Sequence, residues 1–234
     1  MKANESTLII YDDSCPMCKA YTKGFVEMGL LTAENRVGFA ETDEDLRTKI
    51  DLERGRHEIP LLDRESGEVK YGLKALTHLL SQKWPLLGPV LKSKFVYYAF
   101  YPLYQIITYN RRLIANSRAP QTGFDCAPDF NAFYRTLYIL LGLMLSLLIG
   151  LKLPLIVLTV WSLLLSIGGA YISLTRNSRA RWDAWGHLAT VALITAFLSW
   201  PIAALSDLLP LWGTLSWASV ALGLGLKAWF ARMA

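Results

Sequence analysis

Residues 7–29 read TLIIYDDSCPMCKAYTKGFVEMG. The β-branched, apolar run Thr7–Tyr11 has the character of a buried strand. After a short acidic turn, the spacing from Cys15 to Met28 suits a helix, which Gly29 closes. The stretch therefore predicts strand, turn and helix, with Cys15 and Cys18 at the point where the helix begins.

The same reading extends outward. Arg36–Thr42 (RVGFAET) is expected as a second strand, Asp43–Arg54 as a charged surface helix and Ile59–Asp63 (IPLLD) as a third strand. The turn Arg64–Gly67 leads into a fourth strand, Glu68–Tyr71, and helical period returns from Leu73. This order of elements predicts an α/β thioredoxin-like domain over residues 1–115. Two helices, or a broken one, are expected in Pro85–Ala115. The stretch FVYYAFYPLYQIITYN (95–110) holds five tyrosines and Pro102. At about 1.5 Å per residue it is shorter than a hydrocarbon core of roughly 30 Å, so a helix packed on the front domain at headgroup level is expected rather than a span.

Charge divides the chain. The first 133 residues carry 17 Lys/Arg and 17 Asp/Glu, and the rest has seven basic and two acidic residues, so the whole excess of +5 belongs to the apolar end. That pattern suits a membrane and argues against a nucleic-acid partner. Residues 81–133, with six basic and two acidic residues, are suited to anionic headgroups. No cleavable signal is expected in MKANESTLIIYDD, where two aspartates interrupt the apolar run. After a juxtamembrane linker, 116–133, residues 134–234 are expected as an all-α bundle of four spans: Tyr134–Leu151, Pro154–Leu174, His187–Ser206 and Leu208–Phe230. Seven of the eight tryptophans lie in this part, several near span ends, and Gly168, Gly169, Gly223 and Gly225 are expected at close helix contacts. Arg176, Arg179 and Arg181 would share one side with both termini. The positive-inside rule then places the front domain and both termini in the cytoplasm, at a bacterial inner membrane.

A redox dithiol requires an exposed thiol of lowered pKa with a second thiol in reach. Cys15 as N-cap, with Pro16 at the first helical position, would expose a thiolate to the unpaired amides and the positive end of the helix dipole. Cys18 lies on the same face, at a spacing that permits a disulfide. Lys19 and Lys23 add positive charge, and Asp12 and Asp13 oppose it. Ile59-Pro60 occupies the place of a cis-proline facing the dithiol, which would leave the Ile59 backbone free to pair with an extended substrate.

The run Y-D-x-x-C-P-x-C, the later IPLL, Gly72, and Tyr104, Asn110 and Arg111 in YQIITYNRR resemble the DCC family of predicted thiol-disulfide oxidoreductases over residues 7 to about 115. The resemblance implies Cys15 as attacking thiol, Cys18 as resolving thiol and Asp12 as a supporting group. Asp13 stands where a glycine is common, and the membrane part lies outside the family domain.

A zinc half-site is the alternative for the dithiol, but Cys126, His57, His78 and His187 have no paired ligand spacing. Cys126 reads as an incidental thiol. The sequence thus predicts a membrane-anchored thiol-disulfide oxidoreductase with no cofactor beyond its dithiol. Its partners would be the lipid bilayer and a thiol carrier or disulfide substrate protein, with homo-oligomerisation left open. The second reading is a lipid- or partner-binding membrane protein in which the dithiol is a redox sensor.

Overall fold

The apolar run Thr7–Tyr11 forms strand β1, buried at every position. Its side chains alternate between two cores, as a period of two requires of a strand covered on both faces. Leu8 and Ile10 join Phe39, Ile50, Leu62 and Cys126. Ile9 and Tyr11 join Cys15, Cys18, Leu31, Ile59, Leu61 and Leu79. The structure is a computed structural model and describes residues 6–117, 125–151, 155–174 and 178–204. It divides into two units, Met1–Phe130 and Asn131–Ala234.

In the first unit, β1 is followed by α1 (Pro16–Glu27), β2 (Arg36–Gly38), α2 (Glu44–Lys49), α3 (Leu52–His57), β3 (Pro60–Asp63) and β4 (Val69–Tyr71). Then come α4 (Gly72–Lys83), α5 (Gly88–Leu91) and α6 (Lys94–Ala115). The four strands lie in the order β2-β1-β3-β4. β1 runs parallel to β2 and antiparallel to β3, and β4 is antiparallel to β3. Arg36 braces α1 against this sheet: its Nε donates to Thr22 Oγ1 (2.8 Å), its Nη2 to the Lys19 carbonyl (3.1 Å), and its guanidinium lies 4.1 Å from the Tyr11 ring centroid.

The second unit contains α7 (Ala132–Gly150), α8 (Leu155–Ser173) and α9 (Ser178–Ala204). Tyr138 on α7 and Thr190 on α9 share a hydroxyl–hydroxyl hydrogen bond of 2.7 Å, and a Cβ on Gly142 would lie 3.3 Å from the Ala189 Cβ. A Cβ on Gly169 would come within 2.7 Å of the Trp185 ring, so close helix packing requires glycine there, as expected. Gly223 and Gly225 lie outside the described residues.

A thioredoxin-like domain followed by a four-helix transmembrane bundle is not what the structure contains. The chain is predominantly helical, and its small mixed sheet has only three residues in each of β2 and β4. The second expected strand stops at Gly38 because Phe39–Glu41 winds into a 3-10 turn. The expected single helix 43–54 is two short helices, each started by an aspartate cap: Asp43 accepts from the Leu46 amide and Asp51 from the Arg54 amide.

Among the described residues one helix, Ala132–Gly150, is long and apolar enough to cross a membrane, and only 22% of its apolar window is buried. Four spans are not supported, and Leu208–Phe230 lies outside the described residues. The Arg-rich segment expected as a loop is largely helix, since Ser178 to Asp183 form the first turns of α9. There Asp183 pairs with Arg135 at 3.3 Å. A helical Ser178–Asp183 does not form the loop between spans that would have placed the front domain and both termini in the cytoplasm.

Gly72 is the residue on which the β4–α4 junction depends. Its φ is +57°, a Cβ there would lie 3.1 Å from the Glu58 side chain, and its amide donates to the Ile59 carbonyl (2.9 Å). Gly72→Ala is therefore expected to lower stability by about 2 kcal/mol, from the left-handed backbone and the Glu58 contact together, as read from the denaturant midpoint at unchanged slope.

Candidate functional site

The dithiol is set by the turn between β1 and α1. The Asp12 carboxylate Oδ1 accepts from the Ser14 amide (3.0 Å) and from the Ser14 hydroxyl (2.6 Å), and the Asp12 carbonyl accepts from the Cys15 amide (3.2 Å). This closed turn delivers Cys15 to the N-cap of α1 in an extended conformation, with Pro16 next in the helix. Asp13 also has a structural task. Its Oδ2 accepts from the Ala40 amide (3.2 Å), tying the turn to the end of β2.

Both thiols are free. Neither is open to solvent: Cys15 is 1% exposed and Cys18 2%, which corrects the expectation of an exposed attacking thiol. The reason is the apolar shell. Ile9, Tyr11, Leu31 and Leu79 form the cluster around them, and Met17, Tyr21, Phe25 and Ala115 pack against it.

Electrostatics separates the two sulfurs. The hydrogen bond from the Cys18 thiol holds Cys15 down to about 6, against the opposing effect of burial, with further help from the Cys18 amide and the Arg111 charge. The hydrogen bond to Cys15, followed by burial, pushes Cys18 far up. Position supports the same assignment, because Cys15 sits at the positive end of the α1 dipole while Cys18 lies one turn inside. The pair thus favours the thiolate at Cys15 and the protonated form at Cys18.

The cation that faces the dithiol comes from α6. Arg111 Nη2 donates to Asp12 Oδ2 (3.1 Å) and to the Cys126 carbonyl, forming a buried ion pair with a carboxylate only 4% exposed. The expected cations, Lys19 and Lys23, do not serve. Lys19 is exposed on the surface of α1, and Lys23 pairs with Glu27 at 3.6 Å. Asp12 is accordingly the partner that holds Arg111 and Ser14 in place.

Pro60 and Ile59 do not have the geometry expected of a substrate-binding edge. No described peptide bond is cis, so Ile59-Pro60 is trans. The Ile59 amide donates to the Tyr104 hydroxyl (3.4 Å) and its carbonyl accepts from Gly72, which leaves neither group for a substrate strand. Burial pushes the Tyr104 hydroxyl up to about 12. Pro16 is exposed beside the buried Cys15.

Cys126 is buried in the core on the other face of β1, with Leu8 and Ile10, and burial pushes its thiol up to about 12. It meets the site through its backbone carbonyl. His57 packs against Tyr109 with ring centroids 5.5 Å apart, and His78 lies beside the Gln82 amide. Among the described residues no three Cys, His, Asp or Glu side chains gather around a common point.

Residue-by-residue reading singled out Cys15 and Cys18, the family resemblance added Asp12, and the structure brings the three together. Arg111 entered the sequence reading only through a family resemblance. Its signal was legible in principle: an arginine that shares a helical face with Tyr104 and Thr108 in an apolar run needs a buried anion.

Reduced protein is expected to alkylate at Cys15 with a midpoint near pH 6, at a plateau rate below that of an exposed thiolate because the shell must open first. Cys18→Ala and Arg111→Met should each move the midpoint upward, with Cys18→Ala moving it further. Mass spectrometry of iodoacetamide adducts across pH checks both. The linkage has a definite sign. A folded-state pKa near 6 against 9.0 unfolded makes Cys15 a source of stability in the reduced form that is complete above about pH 9 and is lost as pH falls through 6, while the raised Cys18 opposes it above about pH 9.

No family model, no curated protein and no solved structure matches the chain.

Proposed function

We propose that the protein carries out thiol-disulfide exchange, with Cys15 as nucleophile and Cys18 as resolving thiol. The observation that carries this reading is the placement of the dithiol at the start of α1, with Cys15 at the N-cap, Cys18 one turn inside in the same buried cluster and the Arg111–Asp12 ion pair behind the turn that holds them. Cys15 thiolate attacks one sulfur of a substrate disulfide, forming a mixed disulfide and releasing the other substrate sulfur as a thiolate. Cys18 gives up its proton and attacks the Cys15 sulfur, releasing the second substrate thiol and leaving a Cys15–Cys18 disulfide. Two electrons pass to the substrate, and a dithiol carrier returns them. No cofactor is needed in this cycle beyond the dithiol.

The likeness of Y-D-x-x-C-P-x-C, IPLL and YQIITYNRR to the DCC family supports the assignment. Asp12 acts through Arg111, holding a cation beside the sulfurs. Ala132–Gly150 is the natural anchor, and in the sequence Arg111, Arg112 and Arg118 precede it while Arg135 lies in its first turn. That charge bias favours the cytoplasmic side of a bacterial inner membrane for the first unit. Burial of both sulfurs favours a second reading, a sensor whose dithiol reacts only when the shell opens.

Cys18→Ser should accumulate a mixed disulfide on Cys15, identified by mass spectrometry from cells quenched in acid. Cys15→Ser should abolish turnover of a disulfide substrate. Survival of turnover in Cys15→Ser would sink the proposal, whereas a membrane activity that survives and loses only its redox response would establish the sensor.

A further inference from the structure

We propose that the segment Trp84–Leu91 and the N-terminal half of α6 form a docking face for an anionic lipid bilayer. The inference deepens the membrane part of the reading above and does not depend on the dithiol chemistry.

The two halves of α6 are built differently. From Gln105 onward the helix supplies buried residues, including Ile106, Asn110, Arg111 and Leu113. Before that point several large side chains stand in solvent: Phe95 is 83% exposed and Tyr98 70%, with Phe100 and Leu103 also exposed. The preceding segment, which packs on α4 and α6, exposes Trp84, Val90 and Leu86, the last at 95%. Single exposed apolar residues are ordinary, but such a concentration on adjoining elements marks an interaction surface. The residue types point to one kind of partner. Tryptophan and tyrosine favour the boundary between headgroups and acyl chains, with phenylalanine and leucine inserting beside them.

Charge selects an anionic surface. From Val69 to Ser117 the chain has no Asp or Glu, while Lys70, Lys74, Lys83, Lys92 and Lys94 precede Arg111 and Arg112. Lys92 and Lys94 are exposed at the patch, and among the described residues no carboxylate pairs with either. Lysines at that position can lay their alkyl stems on the apolar surface and direct the ammonium groups to lipid phosphates. Chain continuity adds a further argument: a bilayer that holds Ala132–Gly150 is presented to the first unit of the same chain at high effective concentration.

The test is amide hydrogen exchange on the full chain, one copy per lipid nanodisc, with phosphatidylcholine alone or with added phosphatidylglycerol. Amides in 84–103 should exchange about ten-fold more slowly with phosphatidylglycerol present, and high salt or Lys92→Glu with Lys94→Glu should remove the difference. Exchange of the double variant in detergent, unchanged from the parent chain, shows that α5 and α6 remain folded. Equal protection in both lipids and in detergent would mean that protein covers the face, and would overturn the proposal. So would protection that needs two copies per disc, which identifies a self-association surface. Protection of 132–150 with none at 84–103 would overturn the docking face while leaving the anchor intact. Protection of neither would remove both, and trapping at Cys15 would still read the dithiol chemistry separately.

Discussion

The buried pair between Arg111 and Asp12 is the constraint from which the first unit takes its form. A carboxylate and a guanidinium withdrawn from water lose several kcal/mol of solvation each, and only mutual pairing and further hydrogen bonds offset that loss. Both are supplied. Asp12 accepts from Ser14 on one oxygen and from Arg111 on the other, and Arg111 also reaches the Cys126 carbonyl. These contacts join the β1–α1 turn, the C-terminal half of α6 and the segment at Cys126. Since the turn also places Cys15 at its helix cap, the same pair sets the geometry and the potential of the dithiol.

The site has reactivity without access. The Cys18 thiol, Arg111 and the α1 dipole favour a thiolate at Cys15, while an apolar shell keeps both sulfurs almost entirely from solvent. Burial alone would raise the pKa of Cys15. The hydrogen bond from Cys18 outweighs it because a charge-assisted bond is strongest where water does not compete. In the proposed exchange, a dithiol buried in this way reacts only after its shell opens.

Helix α6 has two environments along one axis. Its C-terminal half gives Arg111 and the buried Asn110 to the interior, and its N-terminal half carries exposed aromatic residues. Pro102 lies at the transition between them. A sequence of uniform apolar character thus becomes a core element at one end and a free surface at the other, a difference made by what packs against each half.

How much of this was legible beforehand differs between elements. Local signals carried β1, the Cys15 cap and Pro16 at the start of α1, and the β3–β4 hairpin, because strand alternation, capping chemistry and a Gly-containing turn are determined within a few residues. The break between α2 and α3 was missed although Asp51 is a ready cap, since a charged amphipathic run offers no period change to mark it. The trans Ile59-Pro60 bond and the occupied Ile59 backbone depend on Tyr104 and Gly72, the first of them distant in sequence. The four-span count failed because apolar length alone does not distinguish a spanning helix from one packed in a helical unit, and because Arg179, Arg181 and Asp183 continue a helix rather than break it. By itself the sequence determined that a strand would present two cysteines at a helix start, since that is local geometry. Tertiary structure alone decided that Arg111 would face them and that both would be buried, because desolvation and charge pairing arise only when segments 99 residues apart meet.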